Sequence, residues 1–312
     1  MIKFYKHRKI YFGISIALIL LGIISAFVFG IQLDIQFKGG SILKYTYEGT
    51  MDAEKTGQLI EEAIGRPTNC LLETNMARDE QKITVSLASN DAVTTQEQEI
   101  ITSTILEAYP DSKLALAESL TVEPYIGAKF FRDSLFAVGL AFLLIMIYVG
   151  IRFRNIGGLS AGAMAIVALI HDCLIVTATF IVFRIPLNDS YIAAMLTIIG
   201  FSINDTIVVY DRIRENERLM GRKVTMEDLV DTSINQSMSR SINTSVAVFL
   251  SIAIVYIFAQ IYDIDSIRKF ALPMMFGTIS GCYSTICIAG PLWTMWQNHK
   301  ADVKKTAKTA KA

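Results

Sequence analysis

Residues 191–216 read YIAAMLTIIGFSINDTIVVYDRIREN, and this stretch decides the class of fold. The run from Tyr191 to Tyr210 is mostly apolar, and a helix of about twenty residues crosses the ~30 Å hydrocarbon core of a bilayer. Asp205 nevertheless lies inside this run, roughly 21 Å from Tyr191 at about 1.5 Å per residue. The stretch then ends in the charged sequence DRIREN. It therefore predicts a transmembrane helix that carries a carboxylate.

Five further apolar runs have the length of a membrane span. Of the 312 residues, 52% are hydrophobic and 19% are charged, whereas about a quarter of residues are charged in soluble domains. The first run follows a basic N-terminus but exceeds the roughly 7–15 apolar residues of a signal peptide, so we predict an uncleaved span. The six predicted spans are Tyr11–Ile31, Ser134–Ile151, Gly157–Phe183, Tyr191–Tyr210, Ile242–Tyr262 and Phe270–Trp296.

Lysine and arginine near the span ends predict the orientation of the chain. They concentrate in four segments: before span one, after spans two and four, and in the tail. All four segments lie on the same side of the membrane if the six helices alternate in direction. Positive charge marks the cytoplasmic side, so we predict that both termini are cytoplasmic. The predicted organisation begins with a cytoplasmic N-terminus and span one (1–31), followed by an extracytoplasmic domain (32–132). Spans two to six follow (133–298), with a cytoplasmic segment (211–240) along the membrane surface, and the chain ends in a basic cytoplasmic tail (299–312).

Residues 32–132 alternate between strand and helix patterns. Residues that favour β structure predict strands at 41–48, 68–74, 82–89 and 113–122. Apolar stripes at helical spacing predict helices at 52–64 and 95–109. The order β-α-β-β-α-β indicates a ferredoxin-like domain, which alone says nothing of function. The predicted fold is thus an α-helical integral membrane protein with six transmembrane helices and one extracytoplasmic ferredoxin-like α+β domain.

Asp205 is the first functional candidate. An ionised aspartate at the bilayer centre costs ~2.5–3.5 kcal/mol, so such a residue usually faces other helices or water. Ser202 precedes it by one helical turn and is expected on nearly the same face. Asn204 is its neighbour in sequence. We predict that both residues line or orient a path to the carboxylate.

Arg240 is the second candidate, because it opens the fifth span at a depth similar to that of Asp205. An arginine keeps its proton, whereas a carboxylate can take one up. Pairing with Arg240 would hold Asp205 ionised, and burial without the pair would favour the neutral acid. A pair that forms and breaks would therefore accept and release a proton. The alternative is a lock between helices, although interhelical polar contacts in membranes average only ~0.6 kcal/mol.

Other polar residues of the spans are assigned supporting or structural roles. Asn243 and Thr244 follow Arg240 and are predicted to line the proton path. His171 and Asp172 lie inside the third span, but adjacent helical residues point about 100° apart, so we expect them to serve different sites. The small-residue pairs Gly158/Gly162 and Gly277/Gly281 predict close helix packing. Residues 212–216 (RIREN) are predicted to be a charged helix end at the membrane surface.

Motifs of enzymes and metal sites are missing from the sequence. It has no phosphate-binding glycine loop, no nucleophile elbow and no H-E-x-x-H. The four cysteines form no C-x-x-C pair and no zinc spacing with histidine. We therefore expect neither an enzyme nor a cofactor, and no nucleic-acid partner. A chain that moves something must then draw energy from elsewhere, and a proton is the predicted coupling ion.

Four stretches of the sequence resemble the SecD/SecF family of protein-export subunits, which belongs to the RND superfamily. IGFSINDTIVVYDRIREN (199–216) resembles the fourth span of its SecF members, and LIHDCLIV (169–176) resembles the third. LVDTSINQSMSRSINTS (229–245) and FALPMMFGTISGCYSTICIAGPL (270–292) are similar to the entry into the fifth span and to the sixth span. The resemblance covers essentially the whole chain, with several long signatures in the right order.

This resemblance implies a function and partners. SecF-type subunits pair with SecD, separately or in one fused chain, and together assist export of preproteins through the SecYEG channel with its SecA motor. Their location is the bacterial cytoplasmic membrane, and proton flux drives the transport. The resemblance places the proton-linked carboxylate at Asp205 and an essential arginine at Arg240. Six spans with one such pair also look like half of a two-part RND unit.

The sequence also departs from the family pattern at two turns. The family usually reads G-I-D-F-T-G-G after the first span, where this chain reads DIQFKGG (34–40). Gln36 and Lys38 replace an aspartate and a threonine, whereas Gly39 and Gly40 keep the predicted structural turn. The usual V-G-P before the second span reads VEP (122–124). Neither change touches the predicted proton site.

Two other functions stay open at the level of sequence. The chain could be a membrane scaffold that stabilises a partner subunit while the proton work is done elsewhere. It could also belong to an RND exporter of small molecules or lipids, although such exporters usually carry larger outer domains.

Overall fold

The structure is a computed structural model that describes residues 1–34, 37, 39–75, 80–87, 93–122, 124–221, 224–262 and 264–309. Its membrane part contains α1 (Arg8–Phe29), α4 (Pro124–Arg152), α5 (Gly158–Val182), α6 (Asp189–Met220), α7 (Met226–Ile261), α8 (Asp265–Ser284) and α9 (Gly290–Thr309). A π-helical segment, Thr285–Ala289, joins α8 to α9. Helix α8, the π-helical segment and α9 together count as one span. The described residues then contain six helices that are long and apolar enough to cross a membrane, which confirms the predicted number of spans.

The helices of the fourth and fifth spans are longer than predicted. Helix α6 continues without a break for ten residues beyond Tyr210, and α7 begins at Met226, well before the predicted start of the fifth span at Ile242. The two helices therefore continue through most of residues 211–240, whose cytoplasmic location stays a prediction. The two helix extensions bond to each other through polar side chains.

A smaller α+β unit lies between α1 and α4. It contains β1 (Gly40–Tyr47), α2 (Ala53–Ile64), β2 (Thr68–Asn75), β3 (Glu80–Leu87), α3 (Thr95–Ala108) and β4 (Ala115–Val122). The strands form an antiparallel sheet in the order β2-β3-β1-β4, with Tyr45 opposite Ile83 in β3 and Leu116 in β4. The predicted element order β-α-β-β-α-β is confirmed.

Alternate residues of the sheet face the two helices, as the pleat of a strand requires. The buried side chains of this core are Leu43, Tyr45, Tyr47, Ile60, Ile83, Val85, Leu87, Ile101 and Ile105. Burial raises the pKa of the Cys70 thiol to about 12, so this cysteine acts as a small apolar side chain rather than as a nucleophile.

Both helices of the α+β unit have side-chain caps. Asp52 accepts hydrogen bonds from the first backbone N–H groups of α2. Thr94 and Glu97 form a capping box at the start of α3. The donor groups of Thr94 and the nearby Arg66 lower the pKa of Glu97. These caps fix the helix starts close to the positions that the sequence predicts.

A glycine turn and a backbone bridge connect the α+β unit to the membrane part. Gly39 and Gly40 enter β1 with φ of +80° and +134°, a region that favours glycine, so the predicted turn is present. Leu33 forms a parallel bridge with Leu187, in the loop between α5 and α6. The unit is therefore attached at the same end of the bundle as that loop. Gln36, Lys38 and Glu123, where the chain departs from the family pattern, lie outside the described residues.

Small residues bring the membrane helices together, as the glycine spacing predicts. A Cβ added at Gly158 would meet backbone atoms of Gly150 in α4 and of Phe153, which directly follows α4. A Cβ at Gly277 would lie 2.6 Å from the side chain of Ile198, and one at Gly281 would lie 3.1 Å from Ser202. Helices α4, α5, α6 and α8 therefore approach closely because these glycines have no side chain.

Gly158→Ala is expected to destabilise the bundle, because the new methyl group would collide with backbone rather than with a flexible side chain. Overpacking of this kind costs ~1–3 kcal/mol. The measurement is the fraction of monodisperse protein left after heating in detergent. Gly200→Ala is the matched control, because no atom lies within 4 Å of its added Cβ. Equal heat resistance of the two variants would contradict the packing described here.

Candidate functional site

Asp205 lies on α6 and is buried in the middle of the helix bundle. Its Oδ1 atom accepts a hydrogen bond of 2.5 Å from the hydroxyl of Ser241 on α7. Its Oδ2 atom is also buried, and no described residue donates a hydrogen bond to it. Half of this carboxyl group therefore lacks the partner that a buried charge needs.

Arg240 does not form the predicted ion pair in this structure. No described residue forms an ion pair with Asp205 within 4.0 Å, although Arg240 is near enough to act on the carboxylate through space. Its side chain is exposed and lines a cleft between the extensions of α6 and α7. The structure thus holds the carboxylate and the guanidinium apart.

Three of the predicted path residues do not face the carboxylate. Asn204, Asn243 and Thr244 are exposed, and none of them forms a hydrogen bond with Asp205 among the described residues. Their role along a proton path stays a prediction. Adjacent helical residues point about 100° apart, so the neighbour of a buried residue commonly faces outward.

Ser241 follows Arg240 among the polar residues that open the fifth span, but sequence reasoning did not assign it to the site. Serines recur every fourth position of α7, and Ser233, Ser237, Ser241 and Ser245 are all buried. Residues four apart lie on one face of a helix. This stripe was the signal in the sequence that could have identified the face of α7 that meets Asp205.

Asp172 forms a second buried polar centre. Its two carboxylate oxygens accept hydrogen bonds from the hydroxyls of Ser202 at 2.6 Å, Ser280 at 2.6 Å and Ser284 at 2.7 Å. These serines lie on α6 and α8, so Asp172 on α5 connects three helices. Its side chain has no exposed surface.

His171 completes this centre, contrary to the prediction that it would serve a different site. Its Nδ1 atom lies 3.2 Å from Oδ1 of Asp172 and 3.5 Å from the hydroxyl of Ser280. The two side chains meet because both turn toward the junction of α5 with α8. Together with three serines, His171 gives the Asp172 carboxylate four polar neighbours.

The two buried carboxylates are connected through α6. Ser202, which bonds to Asp172, precedes Asp205 by three residues. On the other side, Thr206 shares a hydrogen bond of 2.9 Å with Thr285, at the start of the π-helical segment. The turn of α6 that carries Asp205 is therefore held by polar contacts on both sides.

The RIREN segment bonds the extensions of α6 and α7 to each other. Arg212 donates to Gln236 at 2.7 Å and to Glu215 at 2.6 Å. Asn216 is buried and donates to Ser233 and to Gln236. The segment is therefore not a helix end, because α6 continues to Met220, and Asn216 belongs to the interior.

A cleft of about 770 Å³ lies beside these contacts and is named here the arginine cleft. Its lining residues are Val208, Asp211, Arg212, Arg214, Glu215, Arg218, Leu219, Gln236, Ser237 and Arg240. Ser237 precedes Ser241 by four residues on α7, so the cleft ends about one helical turn from the contact with Asp205. No group of His, Cys, Asp and Glu side chains in the described residues could hold a metal ion.

Comparison with known proteins identifies the family. Residues 101–299 match the family described as protein export membrane protein SecD/SecF, C-terminal. The chain belongs to the SecD/SecF family. Its relatives include the protein translocase subunit SecF of Sebaldella termitidis, which is 31% identical over 97% of this chain and 94% of the relative. The SecF subunit of Petrotoga mobilis is 33% identical over 100% of this chain and 99% of its own length.

The SecD/SecF family also contains longer fused proteins. The SecDF protein of Bacillus subtilis is 30% identical over 95% of this chain but only 38% of its own length. The crystal structure of SecDF from Thermus thermophilus, described as a translocon-associated membrane protein, matches 95% of this chain and 39% of that chain, with a TM-score of 0.79 and 30% identity. A SecDF structure in a super-membrane-facing form matches with a TM-score of 0.67 and 29% identity. The chain thus corresponds to about two fifths of the solved SecDF proteins, and its function is that of a protein translocase subunit.

Proposed function

We propose that this chain acts with a SecD partner to drive preprotein export with the proton-motive force, and that Asp205 binds and releases the proton. The observation that supports this role is the unpartnered Oδ2 atom of the buried Asp205 carboxyl. A buried charge with a missing hydrogen bond is costly. Protonation removes the charge, so this group changes state more readily than a fully bonded carboxylate.

Arg240 is the counter-charge that alternates with the proton in this proposal. Among the described residues, Asp205 is hydrogen-bonded to Ser241 only, and Arg240 lies in the arginine cleft. In this proposal, that arrangement is the protonated state of the cycle. Movement of the guanidinium toward Oδ2 would stabilise the ionised state and expel the proton. Each proton carries ~2.3 kcal/mol per 100 mV of membrane potential, which supplies the energy for the cycle.

The arginine cleft offers a route for protons from one side of the membrane. Water in the cleft can reach Ser237, and the hydroxyl of Ser241 one turn further bonds to Asp205. The hydroxyl of a serine both donates and accepts hydrogen bonds, so Ser241 can pass a proton between water and the carboxylate.

The orientation follows from the distribution of basic residues. Both termini and the arginine cleft are proposed to lie on the cytoplasmic side of the bacterial inner membrane. The α+β unit, attached near Leu187 at the other end of α5, then lies outside and forms a ferredoxin-like domain. There it would handle the preprotein that emerges from SecYEG after the SecA motor has acted. The chain itself is proposed to have no catalytic activity and no cofactor besides protons.

Arg240→Ala is expected to leave assembly with SecD intact and to reduce proton-dependent export at least tenfold. Arg240 is exposed and is not within ion-pair distance of Asp205, so its loss removes no ion pair and no hydrogen bond with any described residue. Assembly is measured by co-purification, and export by protection of a preprotein in membrane vesicles with and without an uncoupler.

Arg154→Ala is the matched control for this experiment, because Arg154 lies outside the arginine cleft. It should preserve both assembly and export. If Arg240→Ala fails first in assembly, the chain is a scaffold for its partner instead. An RND exporter of small molecules or lipids would leave preprotein export unchanged in both variants.

A further inference from the structure

The arginine cleft has the chemistry of an anion-binding site. We propose that it binds the phosphate headgroup of an anionic membrane phospholipid. Arg212, Arg214, Arg218 and Arg240 line it with only two carboxylates, so the lining carries a net charge of two positive. Basic pockets between transmembrane helices are sites where anionic lipid headgroups bind.

Two of the four arginines remain available for a ligand. Arg214 bonds to Asp211, and Arg212 bonds to Glu215. Arg218 and Arg240 form no ion pair and no hydrogen bond with any described residue. A guanidinium presents paired N–H groups that match two phosphate oxygens. The acids of the cleft thus fix two arginines in place, and the other two can bind one phosphate.

The surroundings of the cleft favour a lipid over a free anion. Exposed apolar residues recur every fourth position further along α7, at Leu250, Ile254 and Phe258, which point within about 80° of the direction of Arg240. This spacing gives one continuous apolar stripe along the helix. A phospholipid with its phosphate in the cleft would lay an acyl chain on this stripe, whereas inorganic phosphate would leave the stripe unused.

Lipid binding would also affect Arg240. A phosphate in the cleft competes with Asp205 for this guanidinium, so it would hold the arginine in the position seen here. This consequence rests on the proposed function, but the binding itself does not. Binding can therefore be measured without a proton gradient, and its outcome is independent of whether Asp205 couples export to protons.

Photo-crosslinking in nanodiscs tests the proposal. The complex of the chain with its SecD partner is reconstituted with a trace of phosphatidylglycerol that carries a photoactivatable acyl chain, and labelled peptides are identified by mass spectrometry. We expect crosslinks on residues 237–258. Arg218→Gln should reduce them at least threefold, whereas Arg218→Lys should retain most of them. Arg154→Gln, outside the cleft, should match the parent.

Further arms separate the sources of phosphate and the kinds of occupant. Photoactivatable phosphatidylcholine should label the same peptide severalfold less, because its headgroup is neutral overall. Inorganic phosphate should not compete beyond chloride of equal ionic strength, and equal competition would identify a free-phosphate site and overturn the lipid assignment. Labelling that is unchanged by Arg218→Gln would also overturn it. Crosslinks from the cleft to an acidic segment of the partner instead of lipid would assign the cleft to a protein contact.

Discussion

Asp205→Asn is expected to abolish the part of preprotein export that depends on the proton-motive force, while the complex with SecD still forms. The amide has nearly the shape of the carboxyl group, and its oxygen can accept the hydrogen bond from Ser241. It cannot bind and release a proton in the physiological range. The loss should therefore appear in export and not in folding, with thermal stability within ~0.5 kcal/mol of the parent or above it.

Export of a preprotein into membrane vesicles measures this prediction, with an uncoupler to define the proton-dependent part. Asp189→Asn is the matched control, because it makes the same atomic change at the first residue of the same helix, far from the buried carboxyl of Asp205. The control should export at the level of the parent. Normal proton-dependent export by Asp205→Asn would contradict the proposed mechanism.

Asp172→Ala is expected to cause a large loss of stability, whereas Asp205→Asn is expected to affect export and not stability. The change removes the acceptor for Ser202, Ser280 and Ser284 and leaves a cavity where three helices meet. Net values of about 0.6 to 1.7 kcal/mol per interhelical hydrogen bond predict a total loss of ~2–5 kcal/mol for the three bonds. The measurement is the yield and heat resistance of the folded protein in detergent.

Two variants make the Asp172 prediction specific. Ser280→Ala removes one of the hydrogen bonds and should cost about 0.5–1 kcal/mol. Asp172→Asn keeps the volume but replaces one acceptor atom by a donor. Its loss of stability should therefore lie between those of Ser280→Ala and Asp172→Ala. Asp172→Ala with the heat resistance of the parent would show that this centre does not hold the helices together.

The number of hydrogen bonds separates the two buried carboxylates. Asp172 has four polar neighbours, and its carboxylate accepts hydrogen bonds from side chains of α6 and α8. Among the described residues, Asp205 accepts one hydrogen bond, and its second oxygen has no partner. The same residue type in the same membrane therefore has a structural role in one place and is proposed to have a functional role in the other.

The sequence predicted the architecture well, because spans and strands follow from periodicity and length. The six apolar runs and the order β-α-β-β-α-β depend on local patterns that neighbouring elements do not change. The extent of α6 and α7 was missed because charged residues such as Arg212 suggest a surface segment. In the structure, bonds from Arg212 and Asn216 to Gln236 join the two extensions.

The site was predicted in part. Asp205 and Ser202 are buried as expected, because the cost of a charge in the membrane forces Asp205 inward. Asn204, Asn243 and Thr244 were chosen for being polar, but the face that each presents depends on helix packing. The pairing of His171 with Asp172 depends likewise on where α8 lies. Spacing along one helix does not supply that information. The serines at every fourth position of α7 are the exception, because they mark the face of α7 that meets Asp205.

Proton flux tests the central claim most directly. The complex with SecD is placed in liposomes that contain a trapped pH-sensitive dye, and a pH gradient is imposed in the presence of a translocating preprotein. The account predicts rapid internal acidification with the parent, and at least tenfold slower acidification with Asp205→Asn at equal reconstitution. Equal acidification by the parent and by Asp205→Asn would show that the proton does not pass through Asp205.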